Sequence, residues 1–220
     1  MNGKKRSVLG LVAVMNLIGV LVAGNVMADE GNQQQNFLQV KVGMFQPTSD
    51  LDDAGYDTGG NIAIAYDRYL SRYLILEGAI DLSATENNDL SGNTAATGKY
   101  DLDNTLAVSS VLVTLKGEYP LGPVSVFGGA GGGIYGVTLN SEIDSETLGT
   151  FTKDDTDAVF GVQVTAGANY DVTERIFVGI EGTYRWTDEV KMNKTVASVP
   201  VMYSGDLDGY SVTVNTGFRF

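Results

Sequence analysis

From Phe37 to the C-terminus, apolar side chains recur at every second position, in segments of about ten residues broken by polar, turn-rich stretches. In FLQVKVGMF, Leu38, Val40, Val42 and Met44 share one face, while Gln39, Lys41 and Gly43 share the other. VFGVQVTAGANY sets Phe160, Val162, Val164, Ala166, Ala168 and Tyr170 against Gly161, Gln163, Thr165, Gly167 and Asn169. IFVGIEGTYRW sets Ile176, Val178, Ile180, Tyr184 and Trp186 against Glu181, Thr183 and Arg185. A period of two belongs to a strand with two unlike faces, and few segments carry the 3.6-residue period of a helix. The pattern predicts eight strands, over 37–46, 60–70, 73–85, 105–119, 124–138, 158–171, 175–187 and 210–220. AVSSVLVTLKGEY reads in either register, and a glycine run hides the alternation of the fifth strand.

Short and long connections alternate. Leu70–Arg72, Pro120–Pro123 and Val172–Glu174 are short, whereas 47–59, 86–104, 139–157 and 188–209 are long. An up-and-down meander with this rhythm gathers its tight turns at one end and its long loops at the other. Outer-membrane barrels are laid out in this way. A soluble eight-stranded barrel of the lipocalin type shares the alternation, but buries its apolar face and wets its charged one. Here the apolar face is continuous and bulky, while the other carries Gly43, Glu77, Asp81, Glu181 and Arg185. Aromatic residues also gather at strand ends. Phe37, Tyr69, Tyr73, Tyr119, Tyr170, Phe177, Phe218 and Phe220 lie toward the short turns, and Phe45, Tyr135, Phe160, Trp186 and Tyr210 toward the long loops. Two such groups are expected to form two interfacial girdles.

The N-terminus reads as an export signal, residues 1–28, removed from the mature chain. Lys4, Lys5 and Arg6 precede the apolar run Val8–Val22, and Val26-Met27-Ala28 offers small residues for cleavage. Residues 29–36 would form a short periplasmic segment before a barrel domain over 37–220. The formal charge of −13 becomes −16 once the three basic leader residues are gone, which argues against nucleic acid as a partner. The chain has no cysteine, which excludes disulfides and thiolate metal sites, and no histidine, the commonest general base.

The chain ends in NTGFRF, with Tyr210, Val212, Val214, Phe218 and Phe220 at alternate positions. This ending resembles the C-terminal signal by which bacterial outer-membrane barrels are recognised for insertion. FGGAGGGIYG and FGVQVTAGANYDVTERIFVGIEGTYRW are similar to segments of the small OmpA/OmpX-type barrels. The resemblance covers essentially the whole mature chain, as pattern more than identity. It implies an all-β fold, an eight-stranded antiparallel up-and-down transmembrane β-barrel, in the cell outer membrane. It also implies the barrel assembly machinery as a partner during insertion. Full-length OmpA continues into a peptidoglycan-binding domain that has no counterpart here, so a wall-anchoring role does not carry over.

Gly131, Gly133 and Gly136 spell G-x-G-x-x-G, yet no amphipathic helical stripe follows, so a dinucleotide loop is set aside. Gly128, Gly129, Gly131, Gly132 and Gly133 are instead expected to relieve crowding in a curved wall. The inward charges are the main site candidates: Lys41, Glu77, Asp81, Glu181, Arg185 and Arg219, joined by Lys116 and Glu118 in one register of the fourth strand. Neighbouring strands allow Glu181, Arg185, Arg219 and Lys41 to connect, and charges inside a narrow barrel must be paired or hydrated. The long loops hold 18 of the 27 carboxylates. Such a crown suits divalent cations or bridges to lipopolysaccharide, with Asp50, Asp52 and Asp53 as candidates, although DLDDAG lacks the later carboxylates of an EF-hand loop. Ser83, Ser109 and Ser110 have no evident activating base, so no enzyme activity and no cofactor are expected. The expected role is structural or in cell-surface interaction, with a lumen closed by ion pairs. The alternative is a narrow conduit for small or hydrophobic solutes, as in OmpW-like barrels.

Overall fold

The computed structural model describes residues 36–94, 98–145, 149–196 and 199–220, and the side chains of these except 88–103, 140–155 and 192–203. The proposed leader and the start of the periplasmic segment, residues 1–35, lie outside the described residues. Strands β1 (Asn36–Pro47), β2 (Gly59–Ser71), β3 (Leu74–Thr94), β4 (Gly98–Leu121), β5 (Val124–Ser145), β6 (Gly149–Asp171) and β7 (Ile176–Thr187) follow one another. A hairpin of β8 (Val190–Val196) and β9 (Val199–Gly205) then precedes β10 (Gly209–Arg219). The barrel is closed in the order β1-β10-β7-β6-β5-β4-β3-β2, with every neighbouring pair antiparallel. Closure pairs the first strand with the last, Leu38 opposite Phe218 and Val42 opposite Val214, so no edge is left to face lipid.

Three of the expected long loops are built differently. Residues 86–104 and 139–157 are largely strand, because β3–β4 and β5–β6 continue as tall hairpins. Apolar alternation marks only the part of a strand that must face lipid on one side. A hairpin rising past the bilayer needs no apolar face, so the signal stops before the strand does. Residues 188–208 hold the separate β8–β9 hairpin, and the first loop carries a short helix, α1 (Ser49–Asp53).

The ladder settles the two ambiguous registers. On β4, Leu106, Val108, Ser110, Leu112, Thr114, Lys116 and Glu118 point inward and are buried, while Val113, Leu115 and Tyr119 point out. On β5, Phe127, Tyr135, Val137 and Leu139 point inward. The glycine run is crowded at every position but Gly128, and on the outward face a Cβ at Gly132 would meet the Gly161 carbonyl oxygen at 2.8 Å. Cβ atoms on inward Gly129, Gly131 and Gly133 would meet carbonyl oxygens of β4 at 2.6, 2.3 and 1.9 Å. Outward Gly128 has nothing nearer than 3.7 Å, so crowding does not account for it.

The aromatic girdles divide by face. Tyr73, Tyr119, Tyr170, Phe218 and Phe220 at the short-turn end, and Phe160, Trp186 and Tyr210 at the other, face outward. Phe37, Phe45, Tyr135 and Phe177 do not; they are buried in the lumen, and Tyr69 packs with Phe37. Position near a strand end does not decide the face, whereas parity along the strand does. Three of these inward rings lie over a glycine of the neighbouring strand: Phe45 over Gly209, Tyr135 over Gly161 and Phe177 over Gly217. Inward Phe127 lies over Gly167 in the same way, with ring atoms 2.1–2.6 Å from where a Cβ would be in all four cases. The missing side chain makes room for each ring inside a narrow bore.

Candidate functional site

Four inward charges meet in the middle of the lumen. Lys41 Nζ of β1 lies 2.8 Å from Glu77 Oε2 of β3 and 2.9 Å from Glu181 Oε1 of β7. Lys116 Nζ of β4 lies 2.5 Å from Glu77 Oε2 and 2.9 Å from Glu181 Oε2. Each lysine thus holds both carboxylates; Lys116–Glu77 joins the neighbouring strands β4 and β3, and the other three bonds cross the bore between strands that are not neighbours. All four side chains are 6% exposed or less. Gln39 Nε2 extends the cluster, donating to Glu77 Oε2 at 3.0 Å and to Asp67 Oδ2 at 2.7 Å.

The other predicted lumen charges stand apart from this tetrad. Arg219 pairs with Asp171 at 2.7 Å near the short turns and lies over the Phe177 ring. Glu118 accepts hydrogen bonds from the Tyr69 hydroxyl and from Ser125 Oγ. Asp81 accepts from Asn61 Nδ2 at 2.7 Å. Among the described residues, Arg185 makes no ion pair within 4.0 Å; its Nε donates to the Leu207 carbonyl and its Nη1 to Ser83 Oγ, and its guanidinium sits 3.9 Å over the Phe45 ring. The expected chain Glu181–Arg185–Arg219–Lys41 is therefore split along the bore. Strand adjacency set the sides of the barrel correctly, but residues four or more apart on one strand stand at different heights. Asp67 was not among the candidates, although it is fully buried and shares the inward parity of Asn61, Ala63 and Ala65 on β2. Parity along NIAIAYDRYL is the signal that would have found it.

Below the tetrad, Phe37, Ile75, Phe177 and Tyr69 fill the bore. Phe37 meets Phe177 edge-on at 5.3 Å between ring centres. Above it, Leu106, Val108, Leu112, Tyr135, Val137 and Leu139 form an apolar wall that is closed from outside by Leu51, Tyr56, Val190 and Leu207. Leu207 is held in place by its neighbours' hydrogen bonds: Leu207 N donates to Thr187 Oγ1, Thr187 N to Asp208 Oδ1, and Thr48 N to the Asp208 carbonyl. Between this cap and the tetrad lies a chamber of about 40 Å³, lined by Lys41, Asn61, Asp81, Tyr135, Gln163 and Arg185 among others. It has room for roughly three waters at ~10–15 Å³ each. Arg185 Nη2 is buried and has no hydrogen-bond partner among the described residues.

The acidic crown holds itself together in part. Asp50 of α1 accepts from the Asp206 backbone N–H at 3.0 Å. Burial, with Asp208 and Asp50 nearby, pushes the Asp206 carboxyl above the usual range. Burial alone raises the Tyr56 phenol to about 12. Among the described residues, no three acidic side chains converge to hold a metal ion, and Asp50, Asp52 and Asp53 lie side by side on α1 without doing so. The side chains of Asp89, Asp101, Asp103, Glu142, Asp144, Asp154 and Asp155 lie outside the described residues, as does Glu146.

Residues 17–220 match the family model for the outer membrane protein beta-barrel domain. A search of curated proteins found no match. Similar solved structures include Neisserial surface protein A, at 14% identity and a TM-score of 0.51, covering 84% of this chain and 97% of that one. The outer membrane protease OmpT from Escherichia coli gives 11% and 0.52, covering 88% and 99%. A major outer membrane protein from Thermus thermophilus gives 12% and 0.51, covering 86% and 100%. At these identities the likeness is one of fold alone.

Proposed function

We propose that this chain, which belongs to the outer membrane protein beta-barrel domain family and resides in the outer membrane, is a non-enzymatic barrel with a closed lumen that acts through its surface loops. The observation that carries this reading is obstruction at three heights: the Leu207 cap, the Lys41–Glu77–Lys116–Glu181 tetrad and the Phe37–Phe177 layer. Eight strands enclose a bore that side chains can just fill. The fold shared with OmpT brings no protease chemistry, since the chain lacks any histidine and its buried carboxylates are tied to lysines, amides and hydroxyls. On this reading the carboxylate-rich loops meet lipopolysaccharide through divalent cations. The outward row Tyr210, Val212, Val214, Phe218 and Phe220 serves as the insertion signal for the assembly machinery.

A narrow conduit is the second reading, favoured by the polar chamber and by an Arg185 Nη2 with no hydrogen-bond partner among the described residues. Planar-bilayer conductance separates the two. The closed barrel is expected to be silent, and Arg185→Ala to stay silent, because the tetrad and the Phe37–Phe177 layer remain. Stepwise openings of the native chain that vanish in Arg185→Ala would replace the first reading with the second.

A further inference from the structure

Between the tetrad and the aromatic layer, three oxygens converge over a glycine. Gly179 lies on β7 midway between Phe177 and Glu181 and shares their inward parity. Its ladder partners are Asn169 of β6 and Asn215 of β10, and both are buried. A Cβ on Gly179 would lie 2.2 Å from Asn169 Oδ1, 2.4 Å from Asn215 Oδ1 and 2.6 Å from the Ala168 carbonyl oxygen. Where Gly161, Gly167, Gly209 and Gly217 lie under aromatic rings, Gly179 lies under oxygens. Neither Oδ1 has a hydrogen-bond partner among the described residues. Carbonyl dipoles that face one buried point repel each other, and each is costly to leave unmatched.

We infer that this cradle binds one alkali-metal cation, with Asn169 Oδ1, Asn215 Oδ1 and the Ala168 carbonyl as its protein ligands. The charge of the bore favours a cation. Below the Leu207 cap the tetrad cancels its own charge and Arg219 cancels Asp171, which leaves Arg185 against Asp67, Asp81 and Glu118 among the described residues. Two of those carboxylates lie on the cradle's side of the tetrad. Asp67 stands opposite Phe37, and Glu118 accepts from Ser125, the ladder partner of Asn169. Neither has a cationic side chain within 4.0 Å among the described residues. Excess negative charge in a water-poor bore draws a positive ion inward. The ligands set its valence, since all three are neutral, whereas Ca²⁺ and Mg²⁺ are usually held by carboxylates.

The test is urea unfolding of the full chain in detergent, with sodium, potassium or rubidium chloride exchanged for choline chloride at constant ionic strength. Once the site is more than half filled, the folding constant of the native barrel is expected to rise about tenfold for each tenfold increase in alkali cation. Asn169→Ala and Asn215→Ala each delete one oxygen without adding bulk. Both are expected to keep the boiling-sensitive band and to lose the response. A flat response of the native chain overturns the inference, because water or a direct bond between the two amides would then fill the cradle. A response that persists in both variants also overturns it, placing the ion elsewhere, as in the acidic crown. Crystals of the native chain grown in rubidium chloride give a reading that needs no variant: an anomalous peak over Gly179 is expected, and its absence overturns the assignment. Bilayer conductance does not enter these outcomes and judges the closed-lumen reading separately.

Discussion

Glu77→Ala is expected to destabilise the barrel by about 3–5 kcal/mol, the usual consequence of leaving a buried charge without its partner. Glu77 Oε2 accepts from Gln39, Lys41 and Lys116, and its side chain is 2% exposed. Its removal leaves two buried lysines sharing only Glu181, together with an amide that has lost one of its two acceptors. Replacing all four charges together, as Lys41→Met/Glu77→Leu/Lys116→Met/Glu181→Leu, should by contrast be neutral or stabilising, because desolvating four ions offsets much of their mutual attraction. The midpoint of urea unfolding, followed by the gel shift between folded and boiled forms, reads both. A Glu77→Ala midpoint equal to that of the native chain would mean that the tetrad is hydrated in solution and does not hold the lumen shut.

Two glycines of the same strand, Gly133 and Gly128, should differ sharply. Gly133→Ala places a methyl 1.9 Å from the Val111 carbonyl oxygen, a backbone atom of the paired strand that cannot swing aside. Overpacking usually costs about 1–3 kcal/mol, and a clash with ladder backbone is expected to reach or exceed the top of that range. Gly128→Ala faces outward with its nearest neighbour at 3.7 Å and should be tolerated. The yield of the folded, boiling-sensitive band after refolding into detergent compares them. Equal yields would show that β4 and β5 separate easily at this point, contrary to the close pairing of Leu112 with Gly133.

The period-two pattern made the fold legible because one force acts on the whole outer face. Lipid favours apolar side chains on the outward face, so Val40, Val42, Ile62, Ile64, Val162 and Val164 can be assigned from parity alone. The strand extensions of β3 to β6 were not legible, because beyond the bilayer that demand ceases. The inward face obeys a different rule. There a residue is fixed by what it meets across the bore, which depends on height, strand tilt and partners far away in sequence. Lys41 and Glu181 are 140 positions apart, and nothing local to either names the other. The same holds for Phe177 and Gly217, whose fit depends on neighbouring strands in one register.

The sequence by itself determined that this chain is a barrel, which face of its strands meets lipid and which end carries the long connections, since these follow from local alternation and turn chemistry. Only the tertiary structure decided which charges pair, since pairing is a matter of distance across a closed lumen. Lys41 and Lys116 hold Glu77 and Glu181, while Arg185 turns to the carbonyl of a loop residue and Arg219 to the rim.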